Sequence, residues 1–256
     1  MSKVVFNANE YERIIARNQK IVGPKLNVSE LFYDTIQGEG PYAGYPAVFL
    51  RLAGCTLNCT WCDTKDIWKN GFFIGVDELV DIMSKTKIFE LFRDGVHFVI
   101  TGGSPLLQQK NLIKFLRVLE AKLLFLPFIE VENEAVLMPE KELELLVDAW
   151  NNSPKLINSG NSFLSICKED VLSHMNDLSN SIFKFVVRNL DDVMGIQVRY
   201  IETGIISRKN VWLMPEGATR EELRNVREKV VRLAIRFGFK YTDRLQVVLW
   251  NNKKSV

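Results

Sequence analysis

Three of the chain's four cysteines, Cys55, Cys59 and Cys62, fall in the run CTLNCTWCDT at residues 55–64, spaced C-x3-C-x2-C. Three thiols this close can do one of three things. They can pack as small apolar residues, although a polar loop is poor core material. They can bind structural zinc, which takes four ligands, usually as two pairs; neither His97 nor His174 is near in sequence. They can also hold a [4Fe–4S] cube. Such a cluster commonly takes four thiolates, so a three-cysteine loop leaves one iron open to another ligand. An open iron suits chemistry better than simple electron transfer, and the cluster is the reading preferred here. Cys167 lies far along the chain and reads as a free, small apolar residue on a helix; His97 reads as structural.

The loop follows AVFLRLAG, an apolar run with strand character. Similar runs recur: AVFLRL (47–52), VHFVIT (96–101), PFIEVE (127–132), KLIN (155–158), IFKFVV (182–187), NVWLM (210–214) and LQVVLW (245–250). Near-continuous apolar character marks strands buried on both faces. Helical spacings lie between them. Asp77 is a cap candidate for a segment carrying Leu79, Ile82, Met83 and Phe89. Leu112, Phe115, Leu116 and Leu119 form one stripe, and Pro139 opens a segment with Leu143, Leu146, Val147 and Trp150. Thr219 and Glu222 have capping-box spacing, ahead of Leu223, Val226, Val230, Leu233 and Phe237; Gly238 is the stop. Alternating strand and helix predicts an α/β fold with parallel strands and right-handed crossovers, either a part-barrel or an open doubly wound sheet. In both, sites form at the C-terminal ends of the strands, where the cysteine loop sits. Residues 1–28 read as an N-terminal appendage to a single domain, 29–256.

Composition bounds the partners. The 256 residues are 47% hydrophobic, enough for a sizeable core, and 33 basic residues balance 31 acidic ones to a net charge of +2. That balance carries no footprint for nucleic acid or an anionic membrane. No run of about 18 apolar residues predicts a membrane span. The start MSKVVFNANEYERII has no secretory pattern, so the expected location is cytoplasmic.

With Trp61 as its aromatic, C-x3-C-x-aromatic-C resembles the radical S-adenosylmethionine superfamily. The stretch FYDTIQGEGPYAGYPAVFLRLAGCTLNCTWCDT resembles, more narrowly, the 7-carboxy-7-deazaguanine synthases. ITGGSPLLQ, SPKL, FKFVV, WLMPEGAT and DRLQVVLW follow in the order of that family, so the likeness covers about residues 29–251. It implies a partial (open) β/α barrel and a radical ring contraction. In that reaction 6-carboxy-5,6,7,8-tetrahydropterin becomes 7-carboxy-7-deazaguanine with loss of ammonia. It also implies a [4Fe–4S] cluster on Cys55, Cys59 and Cys62, S-adenosylmethionine at the open iron, and Mg2+ beside the substrate on the Thr64 hydroxyl. A flavodoxin or ferredoxin reductant and a homodimer are further expectations of the resemblance.

It implies substrate contacts from Ile36, Gln37, Gly38 and Glu39, and from Arg51, Thr101 and Gln246. An arginine fork pairs bidentately with a carboxylate, and Gln37 offers an amide donor and acceptor to a pterin edge. Surface charge and turn chemistry are the plainer readings of Arg51 and of the IQGEG run. Contacts to S-adenosylmethionine are implied for Trp61, Cys62 and Asp63, for Gly102, Gly103 and Ser104, and for Glu132, Ser153, Pro154 and Lys155.

Three positions depart from the family. Ser104 stands where GGEP has Glu, which removes a charged acceptor for the cofactor's ammonium; Ser104→Glu is therefore expected to leave cofactor binding intact. EVENEA replaces ETNGT, with Glu130 or Glu132 as the matching acid and Glu132 preferred. Gln246 replaces a His and cannot titrate near neutral pH. A glycyl-radical activase, a divergent synthase with a modified substrate and a zinc-binding module are the alternative functions; the IQGEG run with Arg51 favours a small carboxylated substrate.

Overall fold

The computed structural model describes residues 3–7 and 23–256. Ten strands form one sheet among these residues. They are β1 (Lys3–Asn7), β2 (Lys25–Ile36), β3 (Pro46–Leu52), β4 (Phe72–Gly75), β5 (His97–Gly102), β6 (Ile129–Asn133), β7 (Ala149–Asn152), β8 (Ser181–Val187), β9 (Val211–Pro215) and β10 (Lys240–Tyr241). Their order is β1-β2-β3-β5-β6-β7-β8-β9-β10, with β4 added on β2. From β3 to β10 every neighbouring pair is parallel. This is the expected part-barrel, a mostly parallel sheet with helical crossovers. An antiparallel section of β1, β2 and β4, absent from the sequence reading, extends it.

That section also alters the expected boundary at residue 28. Lys25–Ile36 is one continuous strand, and Lys3–Asn7 pairs with it. Residues 1–2 and 8–22 of the expected appendage lie outside the described residues.

One face of the sheet packs on the helices. Val48, Leu50 and Leu52 join Phe98, Ile100 and Val131 beneath the helices Val76–Ser84 and Gln109–Leu123, in one continuous core. The other face follows from the two-residue period of strands. Glu30 is the register partner of Arg51, Arg51 of Thr101, and Glu132 of Asn151. These residues, with Lys184 on β8, make a polar row on the concave side. Below the row lie Phe32, Ala47, Phe49 and Val99, a small apolar floor in which Phe32 and Phe49 stack at 5.1 Å.

Four expected elements are corrected. LQVVLW is a helix, Leu245–Trp250; six residues are too few for period to decide, and only Val247 is buried. KLIN contains no strand. Its last residues enter the 3₁₀ turn Ile157–Ser159, and the strand here is Ala149–Asn152. Trp150 therefore belongs to β7, packed between β6 and β8, and the helix after Pro139 is only Lys141–Glu144. Asp77 sits in the first turn of Val76–Ser84, where its charge suits the helix dipole, but Gly75 is the cap. The Thr219–Glu222 capping box forms as read, and Gly238 ends that helix in the left-handed region at φ 67°.

Candidate functional site

The C-terminal ends of β3, β5, β6 and β8 open into a cavity of about 650 Å³. Its wall includes Cys55, Cys59 and Cys62 on one side and Arg51, Glu132 and Lys184 on another. The segment 251–256 closes a third side. There Lys254 Nζ bonds the Asp63 carbonyl, and Ser255 Oγ donates to Glu30 Oε2 at 2.6 Å.

Each cysteine sulfur faces a donor. Cys55 Sγ accepts from Leu57 N at 3.4 Å and from Ser104 Oγ at 3.7 Å. Cys59 Sγ accepts from Asn161 Nδ2 at 3.3 Å, and Cys62 Sγ from Trp68 Nε1 at 3.4 Å. Donors aimed at sulfur suit thiolate ligands. Among the described residues, no three His, Cys, Asp or Glu side chains gather around one ion position. Three thiolates, each able to take its own iron, suit a polynuclear cluster. Burial pushes the Cys55 thiol up, so iron ligation would have to hold it deprotonated. All four cysteines are free; Cys167 is half-buried at the end of the short helix Phe163–Ile166.

The β5 end packs straight onto the cysteine loop. Ser104 N donates to the Gly54 carbonyl at 2.8 Å. A Cβ on Gly103 would come within 2.2 Å of that carbonyl and 2.6 Å of Cys55 Cβ. Gly103 is thus needed for the approach of the cluster loop, although both Gly102 and Gly103 also line the cavity. Ser104 does not line it. The residue is fully buried, and its hydroxyl serves Thr56, accepting from Thr56 N at 3.0 Å and lying 3.1 Å from Thr56 Oγ1. A glutamate there would have to displace Thr56, so the expectation that Ser104→Glu is tolerated does not fit the packing.

A charge network also lines the cavity and reaches the cysteine loop at Asp63. Glu39 accepts from Lys184 Nζ on one oxygen, and from Arg244 Nε at 3.2 Å and Gln246 Nε2 at 2.7 Å on the other. Arg244 also bonds Asp63 Oδ2 at 2.5 Å and the Gly217 carbonyl at 2.6 Å. Burial alone would raise the Glu39 carboxyl, but Lys184 and Arg244 outweigh it and hold it far below the usual carboxylate range. Burial would likewise lower Lys184, yet Glu39 and Glu132 hold it above its ordinary value. The sequence reading missed Lys184 and Arg244. A lysine inside the apolar run IFKFVV was the available signal, since buried charge requires a partner.

Gln37 is not free to read a ligand with its whole amide. Nε2 donates to Glu130 Oε2 at 3.1 Å and Glu132 Oε1 at 3.4 Å, while Oε1 accepts from Glu39 N at 3.1 Å. Behind it, His97 Nδ1 lies 2.7 Å from Glu130 Oε1 and stacks on Phe128, a structural role as read. Arg51 does keep free donors. Its Nε is held by Glu30 Oε1 at 2.7 Å, and neither Nη has a protein partner among the described residues. Glu132 bonds Thr101 Oγ1 at 3.0 Å, within the polar row rather than at the cluster loop.

Ile36, Gly38, Trp61, Asp63, Thr64, Ser153 and Lys155 all line the cavity, whereas Pro154 is buried behind it. Trp61 Nε1 is buried without a partner, and Lys155 Nζ lies 5.7 Å from the Trp61 ring while bonding Ser153 O and Oγ. Gln246 leaves Oε1 as a buried, unpartnered acceptor. Thr64 occupies the N-cap position of Lys65–Trp68, yet its hydroxyl makes no cap bond.

A family model described as "4Fe-4S single cluster domain" matches residues 36–130, which contain all three clustered cysteines. The 7-carboxy-7-deazaguanine synthase of Pyrobaculum aerophilum is 37% identical, across 91% of this chain and 98% of the relative. That of Halobacterium salinarum is 33% identical, across 90% and 92%. The crystal structure of QueE from Escherichia coli aligns with a TM-score of 0.60 at 20% identity, covering 86% of this chain and 94% of that one, a likeness of fold.

Proposed function

The chain belongs to the 7-carboxy-7-deazaguanine synthase family of radical S-adenosylmethionine enzymes, and on that premise we propose how its cavity works. It is a lyase that contracts 6-carboxy-5,6,7,8-tetrahydropterin to 7-carboxy-7-deazaguanine with loss of ammonia, in queuosine-type biosynthesis. Its iron–sulfur cluster takes Cys55, Cys59 and Cys62 as ligands. When bound, the reduced cluster and S-adenosylmethionine supply the radical that removes hydrogen from the carboxylate-bearing carbon.

The observation that carries this reading is one cavity lined both by three donor-facing sulfurs and by the free Arg51 fork. Arg51 Nη1 and Nη2 receive the substrate carboxylate. Glu30 holds the guanidinium in orientation, so little side-chain freedom is lost on binding. Gln246 Oε1 is an acceptor for a ring N–H. Gln37 positions Glu132 and Glu39 and is not itself the principal reader. The buried network of Glu39, Lys184 and Arg244 keeps the wall fixed and polar, and segment 251–256 excludes water from the reacting carbon.

S-adenosylmethionine takes the wall of Trp61, Gly102, Gly103, Ser153 and Lys155. Magnesium takes the Thr64 hydroxyl, together with substrate oxygens and water; that hydroxyl lines the cavity and makes no cap bond, its one contact among the described residues being the Cys62 sulfur at 3.8 Å. A flavodoxin or ferredoxin supplies the electron, and a cytoplasmic homodimer is the working state, testable by sedimentation. No described helix is long and apolar enough to cross a membrane.

The test is anaerobic incubation of reconstituted protein with S-adenosylmethionine, reductant, Mg2+ and 6-carboxytetrahydropterin. Mass spectrometry should show 7-carboxy-7-deazaguanine. Formation of 5′-deoxyadenosine without that product would assign a different substrate. Zinc in place of iron would end the enzymatic reading.

A further inference from the structure

We propose that Glu134 is the carboxylate that receives the amino group of S-adenosylmethionine in this chain, taking over a role that Ser104 is not placed to perform. The assignment rests on the reading of the cavity above. Ser104 carries no charge, is fully buried, and spends its hydroxyl on Thr56 and the Cys55 sulfur, off the cavity wall. Glu134 does line the cavity, just past the end of β6, and is 4% exposed. The chain turns sharply after it. Asn133 Oδ1 accepts from Ala135 N at 2.6 Å, and Ala135 sits in the left-handed region at φ 56°.

One oxygen of Glu134 is used and one is not. Oε1 accepts from Thr56 Oγ1 at 2.8 Å, which fixes the carboxylate beside the residue that follows Cys55. Oε2 is buried with no hydrogen-bond partner. No basic side chain pairs with Glu134 among the described residues. Lys155 is near enough to feel the Glu134 charge but turns its ammonium onto Ser153 O and Oγ, and Lys184 is committed to Glu39. A buried carboxylate oxygen without a donor is costly. The amino group of S-adenosylmethionine brings the missing N–H donor, and a hydrogen bond to an ionised carboxylate is one of the strong ones. Ser104 and Glu134 meet at Thr56, so an acid lost at the end of β5 has a substitute at the end of β6, on the same loop residue.

The probe pair is S-adenosylmethionine and its α-keto analogue, in which a carbonyl replaces the amine. Calorimetric titration uses the full chain with its cluster reconstituted and oxidised, so no turnover occurs. Wild type should prefer the amine by about tenfold or more. Glu134→Gln should lose about tenfold in affinity for S-adenosylmethionine and little for the analogue, so the preference falls by about tenfold at unchanged iron content. Thr56→Val removes the link to the loop but leaves Oε2 in place, and should retain the preference. Wild-type discrimination in Glu134→Gln would overturn the assignment. Equal loss of discrimination, or of iron, in Thr56→Val and Glu134→Gln would also overturn it, because Glu134 would then act only through the loop. Wild type that bound neither compound would bring down the functional reading itself.

Discussion

Arg51 Nε meets Glu30 Oε1 at 2.7 Å across the β2–β3 ladder, where the two residues are register partners. Burial would lower the guanidinium, but Glu30 outweighs it and Arg51 is held above its ordinary value. The pair leaves the outer fork of Arg51 aimed at the cavity. Arg51→Lys keeps the charge and removes the fork. We expect kcat/KM for the carboxylated pterin to fall on the order of 10–100-fold, mainly through KM, with iron content unchanged. A fall confined to kcat would place the substrate carboxylate elsewhere.

Lys184 is 3% exposed and holds both Glu39 and Glu132. Lys184→Met leaves those acids short of a buried partner, and urea unfolding should show a loss of about 3–5 kcal/mol. The pH dependence follows from the two directions. Glu39 is depressed below its ordinary 4.5, so its contribution is full above that value and is lost as pH falls through the depressed one. Lys184 is raised above its ordinary 10.5, so its contribution is full below that value and is lost as pH rises through the raised one. The stability gap between wild type and variant should be flat from about pH 5 to about pH 10 and narrow on both sides. A gap that grew on acidification would contradict the ion pairing.

Trp68 Nε1 donates to Cys62 Sγ at 3.4 Å. Hydrogen bonds to cluster thiolates favour the reduced, more negative state. Trp68→Phe keeps the ring and deletes the donor. An electron-paramagnetic redox titration should find the cluster potential lower, on the order of 40 mV for a bond worth about 1 kcal/mol. An unchanged potential would mean that the contact is lost once iron is bound.

Gly38 lets the C-terminal helix seat on the cavity mouth. Its carbonyl accepts from Leu245 N at 2.9 Å, and a Cβ there would fall 1.9 Å from Gln246 Oε1 and 3.1 Å from Gln246 N. Gly38→Ala should push Leu245–Trp250 outward, with faster hydrogen exchange in that helix and in Glu39, and lower activity at unchanged iron content. Wild-type exchange in the helix would show that Gln246 yields without cost.

The chemistry was legible because it is local. Cys55, Cys59 and Cys62 lie within one loop, and the alternation of strand and helix around it pointed to the α/β fold class, with the loop at a strand's C-terminal end. The Thr219 capping box and the Leu112–Leu119 stripe were readable for the same reason: a few neighbouring residues decide them. LQVVLW and the segment at Trp150 were not, because short apolar runs carry no period long enough to separate helix from strand, and their packing partners are distant in sequence.

Pairings between strands were beyond the reach of the chain as written. Glu39 finds Lys184 and Arg244, Gln37 finds Glu130, and Glu134 finds Thr56 only because the assembled sheet, with β2 antiparallel on β3 and the rest parallel, brings distant segments together. Residue type and local spacing pointed to a three-cysteine cluster site, and the ordered family motifs carried the reading on to the reaction. Folding settled which carboxylates are spent on structure and which oxygen is left to meet a ligand, since burial and partner geometry are properties of the assembled sheet.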